Sequence, residues 1–222
     1  MTLTFLELYN ECASQPWSMF DNDAESIEDF ESAMRMSINK AVSFLWSYQP
    51  WSFRLRTSAI KTKQGKAGYS MPDGILVKKA IDGVVRYGVK YDGECLPYEP
   101  SYELLDEAEG APESFYVEGD TLYIYPTPDD VYTINLQYLA LPYALNNDDE
   151  EVYEMKNDDD YVNIPEKYES VFKNCVISLA MIYVIADESD ENHSGYVKQY
   201  EDALSTLMQY CTDTIVGKYI TW

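Results

Sequence analysis

The chain of 222 residues is poor in the residue types from which catalytic and metal sites are built. Its single histidine, His193, is too little for a histidine-based catalytic triad or a histidine metal cluster. The four cysteines are far apart and include no Cys-x-x-Cys pair, which argues against a zinc site and a disulfide scaffold. Neither a nucleophile elbow nor a phosphate-binding loop is present. The sequence therefore predicts no catalytic residue, no metal site and no cofactor.

Glycine and proline are also scarce, with 10 of each, which excludes a collagen-like or low-complexity chain. The longest apolar run, from Cys175 to Ala186, is shorter than the roughly 20 residues that a membrane-spanning helix needs. We expect a core helix at this run and no membrane partner. The first residues carry no basic stretch before an apolar one, so we expect no signal peptide.

Positively charged residues are also scarce. The chain has 16 Lys and Arg against 39 Asp and Glu, which gives a net charge of −23. This excess opposes general DNA binding, which needs a basic surface. The cations are concentrated, because residues 51–90 hold nine Lys and Arg against two acidic residues. The rest of the chain holds seven against 37.

Three interpretations of this basic segment remain open. The charges serve solubility and internal pairing, or the segment contacts nucleic acid, or it contacts the acidic helices of a neighbouring subunit. A repeated head-to-tail contact of the last kind closes into a ring when the rotation permits. The candidate interface residues are Arg54, Arg56, Lys78, Lys79 and Arg86.

Helices are predicted at both ends of the chain, where apolar residues recur every three or four positions. The three longest stripes run from Ile27 to Leu45, from Tyr168 to Ala186 and from Val197 to Ile215. A shorter helix is predicted over residues 3–14.

Strands are predicted in the middle of the chain, where apolar and polar residues alternate. They cover residues 53–59, 75–81, 84–89, 114–118, 121–125 and 132–139. Asp82-Gly83 and Gly119-Asp120 each mark a two-residue hairpin turn. At the second turn, the loop length pairs Val117 with Leu122 and Phe115 with Ile124.

Helices that flank a block of strands predict an α+β fold. We expect residues 1–50 and 163–222 to form a helical bundle, with an antiparallel β domain inserted over residues 51–162. Residues 146–160 are expected to form a solvated acidic loop or arm. The acidic residues assigned to this surface are Asp148, Asp149, Glu150, Glu151, Asp158, Asp159 and Asp160.

Four segments, in this order and spacing, resemble the head–tail connector or adaptor proteins of tailed bacteriophages, most closely the tail tubular protein A-like ring protein of short-tailed phages. They are Trp51-Ser52-Phe53, Tyr69-Ser70-Met71-Pro72-Asp73, the hairpin 115–125 with Pro126-Thr127-Pro128-Asp129, and Gln137-Tyr138 to Leu141-Pro142 followed by the acidic stretch and Ile164-Pro165-Glu166-Lys167-Tyr168. Met71 stands where the family usually has leucine.

The resemblance implies a structural virion protein without enzymatic activity, made in the host cytoplasm and placed at the head–tail junction. Such proteins form homo-oligomeric rings, typically dodecameric, that join the portal protein to further tail and ring proteins. Double-stranded DNA passes through the ring without specific binding, and an acidic wall formed by residues such as Asp148–Glu151 and Asp158–Asp160 repels its phosphates. Tyr219, Ile220 and Trp222 are candidates for a tail that anchors on the portal or on the next subunit.

Other functions are also compatible with the sequence. The chain is alternatively another virion ring, such as a stopper or a tail terminator. A third possibility is a cytosolic α+β protein that binds a small ligand, although the sequence offers no convergent polar pocket for one. A DNA-binding accessory protein is a fourth, and its affinity would fall steeply with salt.

Overall fold

The structure is a computed structural model that describes residues 2–15, 24–81, 84–99, 108–185 and 191–212. The helices are α1 (Phe5–Ala13), α2 (Ala24–Tyr48), α3 (Glu166–Ile185) and α4 (Glu191–Thr212), with a 3-10 turn at Ser52–Arg54. The strands are β1 (Leu55–Lys61), β2 (Gly68–Ser70), β3 (Gly74–Leu76), β4 (Lys78–Ile81), β5 (Val84–Tyr87), β6 (Val89–Tyr91), β7 (Glu94–Cys95), β8 (Glu109–Gly110), β9 (Ser114–Glu118), β10 (Thr121–Tyr125), β11 (Thr127–Pro128), β12 (Thr133–Ala140), β13 (Ala144–Leu145), β14 (Glu151–Val152) and β15 (Tyr161–Val162). The α+β prediction is confirmed.

The chain forms two compact units. The helical unit contains Met1–Phe53 and Pro142–Ile215, and the β unit contains Arg54–Leu141. Residues 142–162, which the sequence predicted as part of the β domain, belong to the helical unit. They pack there as the small sheet β14–β13–β15, in which Val162 donates its N–H to the Leu3 carbonyl.

Helix α3 is the centre of the helical unit and packs against α1, α2 and α4. Its apolar residues cover almost the whole circumference, so ten of its side chains are buried. Among the described helices, it is long and apolar enough to cross a membrane by length and composition alone, a test that core helices of soluble proteins also pass. Aromatic rings close the core beside it, since Phe53 stacks on Trp51 and meets Phe172 edge-on.

The β unit is built around β12, which pairs with β1 along one edge and with β3 and β6 along the other. Its residues alternate between exposed and buried, as the pattern predicted. In the β9–β10 hairpin, Val117 pairs with Leu122 and Phe115 with Ile124, so the predicted register is confirmed. Gly119 has a φ of +57° in the turn, a conformation that favours glycine.

The predicted strands 75–81 and 84–89 are each divided in the structure. Their inner ends, β3 and β6, pair with β12, whereas their outer ends, β4 and β5, pair with each other. Ile81 pairs with Val84, as a two-residue turn requires. The turn residues themselves, Asp82 and Gly83, lie outside the described residues.

Candidate assembly surfaces

Within the described ranges, no group of three or more His, Cys, Asp or Glu side chains is placed to hold a metal ion. Cys12 and Cys175 are buried, and burial raises the pKa of both thiols to about 12. A thiol with such a pKa is not a nucleophile near neutral pH. Two surfaces of the described residues are formed by charged side chains.

The first candidate surface is the acidic turn, which we define as Asp148, Asp149, Glu150 and Glu151. All four residues are exposed. The side-chain oxygen of Asn146 accepts the N–H groups of Asp148 at 3.0 Å and Glu150 at 2.9 Å. The Tyr161 hydroxyl donates a short hydrogen bond to Asp149. These bonds hold the four carboxylates in a fixed turn, and Glu151 continues into the edge strand β14.

The rest of the acidic stretch is fixed to the helices by polar contacts. Asn39 on α2 pairs with the backbone of Met155, donating to its carbonyl at 2.9 Å and accepting its N–H at 3.0 Å. Arg35 donates to Asp158 at 2.6 Å. At the start of α1, the Phe5 N–H donates to the Asp160 carbonyl at 2.8 Å, so the stretch satisfies a donor that a helix N-terminus leaves unpaired.

The prediction of a solvated residue is wrong for Asp160, whose exposed fraction is only 2%. Its carboxylate accepts the backbone N–H groups of Lys156 at 2.7 Å and Asn157 at 2.9 Å. Burial alone raises the pKa of Asp160, but these hydrogen bonds outweigh it and the pKa is lowered. Asp160 therefore holds a loop together, while Asp158 and Asp159 are exposed as predicted.

The second candidate surface is basic and lies in the β unit. Arg54 does not belong to it, because only 4% of this residue is exposed and its side chain donates to the Ala140 carbonyl at 3.1 Å. Burial lowers the pKa of the Arg54 guanidinium to about 10, so it still carries its charge at neutral pH. Arg56 is half-buried, and its guanidinium donates to the Leu55 carbonyl.

The remaining predicted cations lie on β4 and β5, which we call the basic ribbon (Lys78–Tyr87). Lys79 and Arg86 are exposed and lie directly opposite each other on the paired strands. Lys78 is half-buried opposite Tyr87, whose ring packs on Tyr98 with 4.9 Å between centroids. The pairing thus brings three of the five predicted basic residues together on one ribbon.

Sequence reasoning missed the residues that position the acidic stretch, above all Asn39 and Arg35. Asn39 follows the buried Ile38 on α2, and a short polar residue beside an apolar stripe is the one available signal. It does not reveal the partner, which lies more than 100 positions away. The three predicted tail residues, Tyr219, Ile220 and Trp222, lie outside the described residues.

Comparison with known proteins finds a family whose sequence model matches this chain. The sequence model of one family, described as SU10 adaptor protein, matches residues 4–215. No curated protein matches the chain. The family consists of structural phage proteins, and its members are virion components. Because the match covers almost the entire sequence, the chain belongs to the SU10 adaptor protein family.

Proposed function

We propose that the protein is the subunit of a tail tubular protein A-like head–tail adaptor ring, which joins the portal to the tail and surrounds the DNA channel. The observation that carries the proposal is the family match over residues 4–215. The exposed charges support it, because a ring subunit needs surfaces for its neighbours and a wall that does not retain DNA. We place the protein at the head–tail junction, after synthesis in the host cytoplasm.

The helical unit supplies such a wall. Its residues, Met1–Phe53 and Pro142–Ile215, include six Lys and Arg against 25 Asp and Glu. A surface of this sign repels DNA phosphates and allows the duplex to slide. Asp158 and Asp159, which are exposed, are the residues of this wall that we assign to the channel side.

Two other parts of the chain are assigned to protein partners. The exposed basic residues Lys79 and Arg86 of the β unit contact the next subunit of the ring. The last residues, with Tyr219, Ile220 and Trp222, anchor on the portal, since aromatic side chains are enriched at protein interfaces.

The direct test of the adaptor function is reconstitution. Phage heads assembled without this protein are filled with DNA, incubated with the purified protein, and then given purified tails. We expect the protein to restore tail attachment and infectivity, and to reduce loss of DNA from the heads. A folded protein that binds the heads but restores neither property would contradict the adaptor function.

A truncation after Gly217 tests the tail. It removes the last five residues, including both aromatic ones, and leaves the described helices intact. We expect the truncated protein to lose portal capture at least tenfold, while a Lys218→Ala variant retains it. Equal capture of truncated and full-length protein would overturn the anchoring role of the tail and leave the adaptor function unaffected.

A further inference from the structure

We infer that the basic ribbon of one subunit docks on the acidic turn of a second copy of this chain. The inference rests on the proposed ring function and names one contact within it. The ribbon supplies Lys79 and Arg86, which share one face of the strand pair, and the acidic turn of the neighbour supplies Asp148 and Glu151. Each subunit uses its ribbon toward one neighbour and its turn toward the other, which is the arrangement of a head-to-tail ring.

The base of the ribbon is fixed on the main sheet. Val77 donates to the Gln137 carbonyl at 3.0 Å, and Gln137 donates to the Gly88 carbonyl at 2.7 Å. Gly88 approaches so closely that an added Cβ would lie 2.8 Å from the Gln137 carbonyl oxygen. From this base outward, β4 and β5 pair only with each other among the described strands. The ribbon therefore leaves the sheet in a defined direction, with its outer edges unpaired.

The composition of the ribbon is unfavourable for an isolated element. Lys79 and Arg86 face each other across the strand pair, and like charges in that position destabilise a sheet. Neither side chain has a salt-bridge partner among the described residues. A two-stranded ribbon alone is marginally stable in water. An acidic surface that covers the face of Lys79 and Arg86 would remove the repulsion between them.

The acidic turn is the described surface that best meets this need. It presents four carboxylates in consecutive residues, held in place by Asn146 rather than on a flexible chain. Opposite charges at an interface accelerate association and select the correct register.

DNA phosphate is the competing occupant of the ribbon. The β unit as a whole opposes it, because residues 54–141 contain nine Lys and Arg against 14 Asp and Glu. A protein that binds DNA by counterion release needs a net positive contact surface. The second copy, which carries the acidic turn, is therefore the favoured partner.

The test uses two charge-reversed variants of the full chain. The ribbon variant is Lys79→Glu/Arg86→Glu, and the turn variant is Asp148→Lys/Glu151→Lys. The matched control is Lys61→Glu/Lys63→Glu, which reverses two exposed lysines of the β unit outside the ribbon. The number of subunits bound to purified portal rings, and their affinity, is measured by native mass spectrometry and by sedimentation at physiological salt.

We expect each variant alone to fill the ring at least tenfold less tightly than the wild type, and the control to stay within twofold. A one-to-one mixture of both variants should recover assembly, because alternating subunits place an acidic ribbon on a basic turn and a basic ribbon on an acidic turn. Recovery also shows that both variants are folded and that the contact joins different subunits.

Three outcomes overturn the contact. In the first, the ribbon variant fills the ring as tightly as the wild type. In the second, the mixture of variants with wild-type circular dichroism does not recover. In the third, the ribbon variant assembles normally but loses affinity for duplex DNA, which would assign the ribbon to DNA. In each of these three outcomes, wild-type protein that still forms rings on the portal would leave the proposed function intact. Wild-type protein that does not bind the portal would overturn both the contact and the proposed function.

Discussion

The helical unit and the β unit differ in charge and in how they are held together. The helical unit carries six Lys and Arg against 25 acidic residues, whereas the β unit, at residues 54–141, carries nine against 14. The core of the helical unit consists of aromatic rings and the central helix α3, whereas the β unit is built around the central strand β12.

In both units, one charged residue is drawn from its cluster into the interior. Asp160 accepts backbone N–H groups in the helical unit, and Arg54 donates to a backbone carbonyl in the β unit. A charge cluster in this sequence therefore contains both residues that stabilise the fold and residues that stay exposed for partners. Burial of the side chain distinguishes the first group from the second.

The largest expected effect concerns the aromatic core of the helical unit. Phe172 is fully buried and meets Phe53 edge-on, with 5.8 Å between ring centroids. Phe172→Ala should lower the free energy of unfolding by about 3–5 kcal/mol, because it leaves a cavity. Chemical denaturation followed at 222 nm reports this loss, since all four helices belong to this unit. Leu122→Ala in the β unit is the matched core change; an equal loss of helical signal in both variants would argue against separate units.

Asp160→Asn tests the buried carboxylate. The lowered pKa of Asp160 means that its charged form stabilises the folded state above the unfolded pKa near 4. This stability is lost as the pH falls through the folded pKa. The variant should be less stable than the wild type by about 1.5–3 kcal/mol at pH 7, the range for hydrogen bonds to a charged group. The difference should shrink below about pH 4. Urea denaturation across pH measures it, and a difference that is constant with pH would contradict the assignment.

Gly88→Ala tests the base of the basic ribbon in the β unit. Its Cβ would lie 2.8 Å from both the Cβ and the carbonyl oxygen of Gln137, so the strands must move apart. We expect a loss of about 1–3 kcal/mol, as for other overpacked sites. Gly110→Ala, also in the β unit, is the control for the loss of glycine alone, because an added Cβ there makes only ordinary contact with Pro126 at 3.9 Å and Gly110 has no positive φ. An effect at Gly88 no larger than that at Gly110 would show that the ribbon base is not tightly packed.

The smallest effect is expected at a partly exposed ion pair of the helical unit. Lys173 contacts Glu7 at 3.1 Å and Glu11 at 3.2 Å. Lys173→Gln should lower the free energy of unfolding by about 0.2–1 kcal/mol, because such ion pairs are solvated and their formation restricts two long side chains. Thermal denaturation at low salt and at 1 M salt checks this, since the cost should fall with salt. A cost that is larger at high salt would mean that Lys173 acts through packing.

Local patterns in the sequence predicted the elements whose partners are close along the chain. The β9–β10 register was predictable because a two-residue turn and alternation on both faces permit one pairing of Val117 with Leu122. The acidic stretch was predicted only as a solvated loop, because the residues that hold it in place are distant in the sequence. Asn39 and Phe5, which fix it, leave no trace in the local composition.

The prediction of Arg54 as an interface residue failed for a related reason, because local alternation did not show that its side chain is buried. Alternation from Trp51 placed Arg54 on the same polar face as Arg56. In the structure, the 3-10 turn Ser52–Arg54 precedes the strand, and the Arg54 side chain is buried. Within β1, Thr57 and Ala59 of the apolar face are exposed, whereas the polar face is half-buried. Periodicity thus identified the strand but not which of its faces is covered.

The most direct test of the adaptor ring is the native mass of the protein bound to purified portal rings. We expect one species with a fixed number of subunits, close to twelve, whose formation weakens as salt rises because opposite charges join the subunits. The same mass should appear over a range of protein concentrations above saturation. A stable dimer or tetramer that does not bind the portal, or binding without a fixed number of subunits, would contradict the adaptor ring.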